Sequence, residues 1–298
     1  MFKKFLPIFD WGTYNALSTL AKAGLIGTRL TEIPPMPLIQ NGIDYFLEYR
    51  ERAQKLFNTI TAHGPYYPLS APVNEEREKA LEAHLKAISN ALVAGAQVYG
   101  YHLGEYLCDN PEKDIELHSI TLEQVCRLYP TIIFAPETSY SPYEIGSIEE
   151  IEQMIKYVKS KGLSNVTISA QLENIWMRET LVAEGKIDVE EADKKTTYDF
   201  WIDIFEKIYE LSEGFLILKF SQCIPFKKGE RIFKKRAPLG QGYPNIEPLA
   251  EALSDFLITN YKRGKLHSLF IYTGLPEVKY RDSVTLYYEI MKRIAEKL

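Results

Sequence analysis

Two histidines and one carboxylate stand out as residues that could do chemistry together. They are His63 in TAHGPYYPLSAP, His102 in VYGYHLGEY and Glu137 in FAPETSY. Each lies at the end of a short apolar or aromatic run. Neutral imidazole is the commonest nitrogen ligand of zinc-like ions, and two histidines with a carboxylate can hold one divalent metal while leaving a position for water. A single loop histidine is more often just a hydrogen-bonding group, so it is the set of three that points to a metal. His84, on a helix, and His118 and His267, in loops, read as surface residues.

A second group of polar side chains follows other apolar runs: Asp10, Glu32, Gln171, Glu173, Asn174, Lys219 and Tyr272. Further on, KKGERIFKKRAPLGQGYP places Lys227, Lys228, Arg231, Lys234, Lys235 and Arg236 within ten positions. It reads as a basic loop, and phosphate binding is a natural use for one. Its plain alternative is a solvated charged loop. Tyrosines such as Tyr66, Tyr67, Tyr101 and Tyr106 could stack on bases or sugars, or simply edge the core.

The elements that must position these groups alternate. Runs suited to strands occur at Phe5–Phe9, Leu30–Ile33, Thr59–Ala62, Gln97–His102, Thr131–Ala135, Val166–Ala170, Phe215–Phe220 and Leu269–Tyr272. Helical patterns fall between them: Asn15–Ala23, Ile43–Phe57, Glu75–Val93, Thr121–Leu128, a helix opened by Ser147 and Glu150 as a capping box, Val189–Leu211, Ile246–Tyr261 and Arg281–Lys297. Strand–helix alternation implies a parallel sheet, and eight units in 298 residues suit an α/β fold of the (β/α)8 TIM barrel type, as one domain over 1–298. In such barrels the chemistry lies at the C-terminal ends of the strands, where the polar residues above fall. No GxGxxG follows the first strand, which argues against a dinucleotide fold. Met177–Lys195 is long and charged, and reads as a lid, an interface or an insertion.

Composition narrows the partners. With 35 Lys+Arg against 40 Asp+Glu, the net charge is −5. That argues against coating nucleic acid over the whole surface but leaves room for a local basic site. The absence of a long apolar run argues against a membrane span, and the start of the chain does not read as a signal peptide. Three cysteines, Cys108, Cys126 and Cys223, fit no metal spacing and suit reduced, cytoplasmic thiols.

HGPY at His63–Tyr66, YHLG at Tyr101–Gly104, PET and EIGS at Pro136–Thr138 and Glu144–Ser147, and LGQG at Leu239–Gly242 resemble, in order and spacing over nearly the whole chain, the endonuclease IV family of xylose isomerase-like barrels. The resemblance implies an abasic-site endonuclease of DNA repair with three zinc ions. One ligand set carries over: His63, His102 and Glu137. At the second metal position the family's ligands are replaced by Gln171, Lys219 and Tyr272. At the third, Asn174 replaces a histidine, and Lys234, Lys235 and Arg236 stand where an Asp-Arg-His loop is found.

Of the six ligand positions lost, three now carry cations, Lys219, Lys234 and Arg236, and three carry neutral groups, Gln171, Tyr272 and Asn174. The expectation is a single-metal hydrolase acting on a phosphorylated small molecule or a locally gripped nucleic acid. His63, His102 and Glu137 would hold the metal, with Glu137, Lys219, Tyr272, Gln171 and Glu173 catalytic or orienting. Lys234, Lys235, Arg236 and Asn174 would bind phosphate or substrate. The alternatives are a metal-free, non-catalytic phosphate or nucleic-acid binder, a metal-dependent sugar isomerase or epimerase, and a lysine-based Schiff-base enzyme using Lys219.

Overall fold

Eight parallel strands close in the order β1-β10-β7-β6-β5-β4-β3-β2. The computed structural model describes residues 9–182, 188–262 and 267–298. In chain order the strands are β1 (Phe9–Tyr14), β2 (Leu30–Ile33), β3 (Thr59–His63), β4 (Val98–His102), β5 (Ile133–Glu137), β6 (Ser169–Gln171), β7 (Phe215–Phe220), β8 (Cys223–Lys228), β9 (Arg231–Arg236) and β10 (His267–Tyr272). β8 and β9 form a separate antiparallel pair, and helices fill the intervals. This is the (β/α)8 TIM barrel that the alternation implies. β7, FLILKF, reads as a nearly continuous apolar run and is buried at five of six positions, because a parallel strand is covered on both faces.

Some boundaries move. The first strand runs from Phe9, so Asp10 lies within it rather than after it. Residues 5–8 of the expected strand fall outside the described residues, as do 183–187 of the Met177–Lys195 stretch. Val189–Leu211 is two helices, Val189–Lys195 and Tyr198–Ser212, because the Thr197 side chain accepts a hydrogen bond from Phe200 N and restarts the helix.

Contacts group the chain into two compact units, Tyr14–Ser169 and the rest. In Tyr14–Ser169, the helix Glu75–Val93 is capped by the Asn74 side chain and buries the stripe Arg77, Ala80, His84, Ala87, Ile88 and Ala91. The expected helix Thr121–Leu128 is only the end of Pro111–Leu128, which starts at an Asn110 cap with proline in its first turn. These two helices correct the reading of His84 and His118 as surface residues. They are 0% and 1% exposed, each on its helix's inward stripe, and His118 is helical rather than in a loop. Burial holds both imidazoles neutral, pushing His84 down to about 4 and His118 down to about 3. His267 is exposed at the start of β10.

The same helices share a buried ion pair between Arg77 and Asp114. Asp114 also accepts from Leu107 N (3.0 Å) and Cys108 N (2.7 Å), which ties down the segment after β4. The capping box of Ser147 and Glu150 opens Ile148–Ser160, as the sequence pattern implies.

In the other unit, β8 and β9 replace the expected basic loop. Lys228 pairs with Arg231, leaving a two-residue turn with Gly229 at φ +64°, the conformation that a primed hairpin turn requires of its first residue. Apolar and charged residues come in blocks on both sides of Gly229, Ile224-Pro225-Phe226 then Lys227-Lys228 and Ile232-Phe233 then Lys234-Lys235-Arg236, so no period of two marks these strands in the sequence. Among the described residues no helix is long and apolar enough to cross a membrane.

Candidate metal centre

His63, His102 and Glu137 are the last residues of β3, β4 and β5. His63 is in register with Gly100 of β4, and His102 with Glu137 of β5, so parallel pairing brings three strand ends to one place. One ligand atom from each lies within 4.8 Å of the others. His63 Nε2 is 3.4 Å from Glu137 Oε2, and His102 Nε2 is 3.5 Å from Glu137 Oε1. The carboxylate is buried, while the imidazoles are 14% and 17% exposed, so the group is reachable from solvent only on the histidine side.

Neighbouring groups orient the donors. His63 Nδ1 lies 2.8 Å from the Gly64 carbonyl. A carbonyl can only accept, so Nδ1 carries a proton, and Nε2 is the ring nitrogen that faces Glu137 and would serve as the metal ligand. Ser169 Oγ donates to Glu137 Oε2 at 3.2 Å. A side chain at Gly64 would force its neighbours to shift: an added Cβ would lie 2.6 Å from the Tyr99 hydroxyl and 3.0 Å from the His84 ring. His84 in turn contacts Tyr99 Oη at 2.8 Å and the Tyr67 carbonyl at 2.7 Å, which fixes the start of the HGPY loop. Two imidazole nitrogens and a held carboxylate oxygen around one point are a donor set suited to a borderline-soft divalent ion.

Tyr66 borders this group, its ring centroid 4.6 Å from that of His102 and its hydroxyl donating to Glu144 Oε1 at 3.3 Å. Burial, then the Glu144 carboxylate, raises its phenol well above the usual range, so it stays protonated. Glu144 also accepts from Ser139, and Gly146 lets that loop close: at φ +147° it lies where a Cβ would be 2.6 Å from Ser139 N. A cavity of about 740 Å³ opens beside Tyr66, lined by Tyr67, Pro68, Leu107, Glu105 and Glu144 among others.

The remaining expected site residues belong to the other unit. Gln171 ends β6, and the helix Leu172–Trp176 follows without a loop, so Glu173 and Asn174 are buried beside it. Glu173 Oε1 accepts from Gln171 Nε2 (2.6 Å), Ser221 Oγ (2.7 Å) and Lys234 Nζ (3.3 Å), and Oε2 from Ser221 N (3.2 Å). Asn174 Nδ2 donates to Gln171 Oε1 at 3.1 Å, and Lys234 also donates to Asn174. Lys234, read from sequence as a phosphate-binding loop cation, is thus engaged by a buried carboxylate, whereas Lys235 and Arg236 are exposed.

Lys219 is buried in β7, opposite Ile271. Tyr272 ends β10 and donates to Asp282 Oδ2 at 3.3 Å; burial, then that carboxylate, raises its phenol far above the usual range. Ser169, Ser221 and Asp282 support the expected residues and were not singled out from the sequence. Only the position of Ser169 in the sixth apolar run gave any signal.

The family description xylose isomerase-like TIM barrel matches residues 21–262. The chain is 44% identical over 293 residues to an uncharacterized protein of Methanocaldococcus jannaschii, covering 98% of this chain and 92% of that one. Among solved structures it is similar to D-psicose 3-epimerase from Clostridium cellulolyticum, with a TM-score of 0.66 at 14% identity, over 96% of this chain and 99% of that one. It is also similar to endonuclease IV from Thermus thermophilus, with a TM-score of 0.63 at 13% identity, over 95% and 99%. At those identities the likeness shows the fold alone. The chain belongs to the xylose isomerase-like TIM barrel family.

Proposed function

We propose that this protein is a hydrolase that uses one zinc-like divalent ion, held by His63, His102 and Glu137, to cleave a phosphoester in a phosphorylated small molecule or a locally held nucleic acid. The observation that supports this reading is the convergence of three ligand atoms within 4.8 Å at three adjacent strand ends. An ion bound there would supply Lewis acidity and a water of lowered pKa. The chain's own groups prepare the place: the Gly64 carbonyl sets the His63 tautomer, Ser169 holds one oxygen of Glu137, and the phenol of Tyr66 remains a proton donor. In the other unit Lys235 and Arg236 are proposed to bind phosphate. Lys219, Tyr272, Gln171, Glu173 and Asn174 are proposed as electrophilic, proton-donating or orienting groups.

The test joins metal analysis of the purified protein to hydrolysis of a chromogenic phosphodiester and an abasic-site oligonucleotide. Stoichiometric metal, with turnover lost in His63→Ala, supports the reading. Absence of metal and no effect of His63→Ala would sink it. A second reading, a phosphate or nucleic-acid binder without turnover, draws support from Lys219 in β7 and Tyr272 at the end of β10, where the resembled family has metal ligands. It is favoured by binding without cleavage in any divalent metal.

A further inference from the structure

The β8–β9 hairpin presents two unlike faces. Directly paired residues of an antiparallel ribbon share a face, and successive residues alternate. One face carries Cys223, Pro225, Lys227, Ile232, Lys234 and Arg236; Cys223 and Pro225 are buried there, and Lys234 reaches Glu173. The opposite face carries Ile224, Phe226, Lys228, Arg231, Phe233 and Lys235, with no carboxylate among them. On it Ile224 is 47% and Phe226 45% exposed. Phe226 and Phe233 pair across the strands with ring centroids 5.8 Å apart and planes 24° from parallel.

A protein surface rarely displays a stacked aromatic pair beside an isoleucine without a use for it. Along this face the cross-strand pairs change in kind: Lys228 with Arg231, then Phe226 with Phe233, then Ile224 with Lys235. Cations and rings therefore alternate at two-residue steps, about 6.8 Å from one pair to the next. We propose that this face binds single-stranded nucleic acid, its cations contacting phosphates and the phenylalanine pair taking unstacked bases. Charge complementarity supports that occupant: a chain of net charge −5 concentrates six cations and one carboxylate, Glu230, in this hairpin. A lipid surface fits less well, because the hairpin tip, Lys228-Gly229-Glu230-Arg231, is wholly polar, whereas an inserting tip is apolar. Duplex bases, already stacked, offer the rings nothing.

The inference does not rest on the metal reading, and the experiment separates them by working in EDTA. Fluorescence anisotropy of the full-length protein is measured with labelled oligo(dT), oligo(rU) and a duplex of equal length, and co-sedimentation with anionic phosphatidylglycerol vesicles. Both single strands should bind in EDTA, more tightly than the duplex. Affinity should fall by roughly tenfold to a hundredfold between 50 and 200 mM salt, as expected for a few released counterions. Phe226→Ala should weaken binding by about tenfold, the loss of one stacked base. The double change Lys228→Glu with Lys235→Glu should weaken it at least as much. A thermal melt unchanged in these exposed variants shows that the hairpin still folds. No single-strand binding at low salt, equal affinity for duplex with a neutral Phe226→Ala, or binding to vesicles only would each overturn the proposal.

Discussion

Lys234 Nζ lies 3.3 Å from Glu173 Oε1, in a pocket where the lysine side chain is 16% exposed and the carboxylate 0%. A hairpin cation thereby neutralises a carboxylate in the helix that follows β6, a partner 61 residues away. The consequence is local stability more than phosphate recognition. Lys234→Met leaves Glu173 buried with its hydrogen bonds from Gln171 and Ser221 but without the lysine cation, and should destabilise the protein by about 2–4 kcal/mol. Combining it with Glu173→Gln should cost less than the sum of the two single changes, measured by urea denaturation in a double-mutant cycle. Strict additivity would show that the pair does not interact.

Zinc added to metal-stripped protein should raise its melting temperature, since a ligand bound only by the folded state stabilises it by about 2.7 kcal/mol at a hundred times its dissociation constant. Glu137→Gln and His102→Ala should abolish that shift in differential scanning fluorimetry. EDTA should reverse it in the unaltered protein.

Ser169 donates to Glu137 and is not one of the three residues that would hold the ion. Ser169→Ala should lower metal affinity by roughly tenfold, within the usual range for loss of an outer-shell hydrogen bond. Folding should be nearly unaffected. Competition against a fluorescent zinc chelator checks this, and an affinity equal to that of the unaltered protein would exclude an orienting role for Ser169.

Gly64→Ala brings a methyl group against the Tyr99 hydroxyl. It should lower both stability and metal affinity, by about 1–3 kcal/mol for stability. Tyr99→Phe in the same chain should restore part of each by removing the nearest atom. Failure of any rescue in thermal melts would place the cost elsewhere in the loop.

Stability should fall on acidification before most carboxylates titrate. His84 and His118 are held neutral in the fold, near 4 and 3, and return to about 6.5 when unfolded. Their contribution is complete above pH 6.5 and is lost as pH falls through the folded values, because the unfolded chain then binds more protons. In that window each contributes a slope of up to about 1.4 kcal/mol per pH unit. Urea denaturation between pH 7 and 4 should show the decline, and His118→Leu should flatten it. An unchanged slope in that variant would contradict the assignment.

The sequence by itself determined the barrel, because hydrophobic period and caps are local. Leu30–Ile33 and Phe215–Phe220 lie where their apolar runs place them, and Ser147 with Glu150 starts a helix through bonds three residues apart. It also placed His63, His102 and Glu137 at strand ends. Only the tertiary structure decided which strand ends converge, since strand register brings His102 level with Glu137, far along the chain. It likewise decided the fates of residues whose type misleads. His84 and His118 look polar but lie on buried stripes. The basic run Lys227–Arg236 looks like a solvated loop but is a hairpin that splits its cations between a buried ion pair and an open face. The physical reason is the same in each case: a side chain's period along its own element can be read locally, but its partner is set by long-range packing and desolvation.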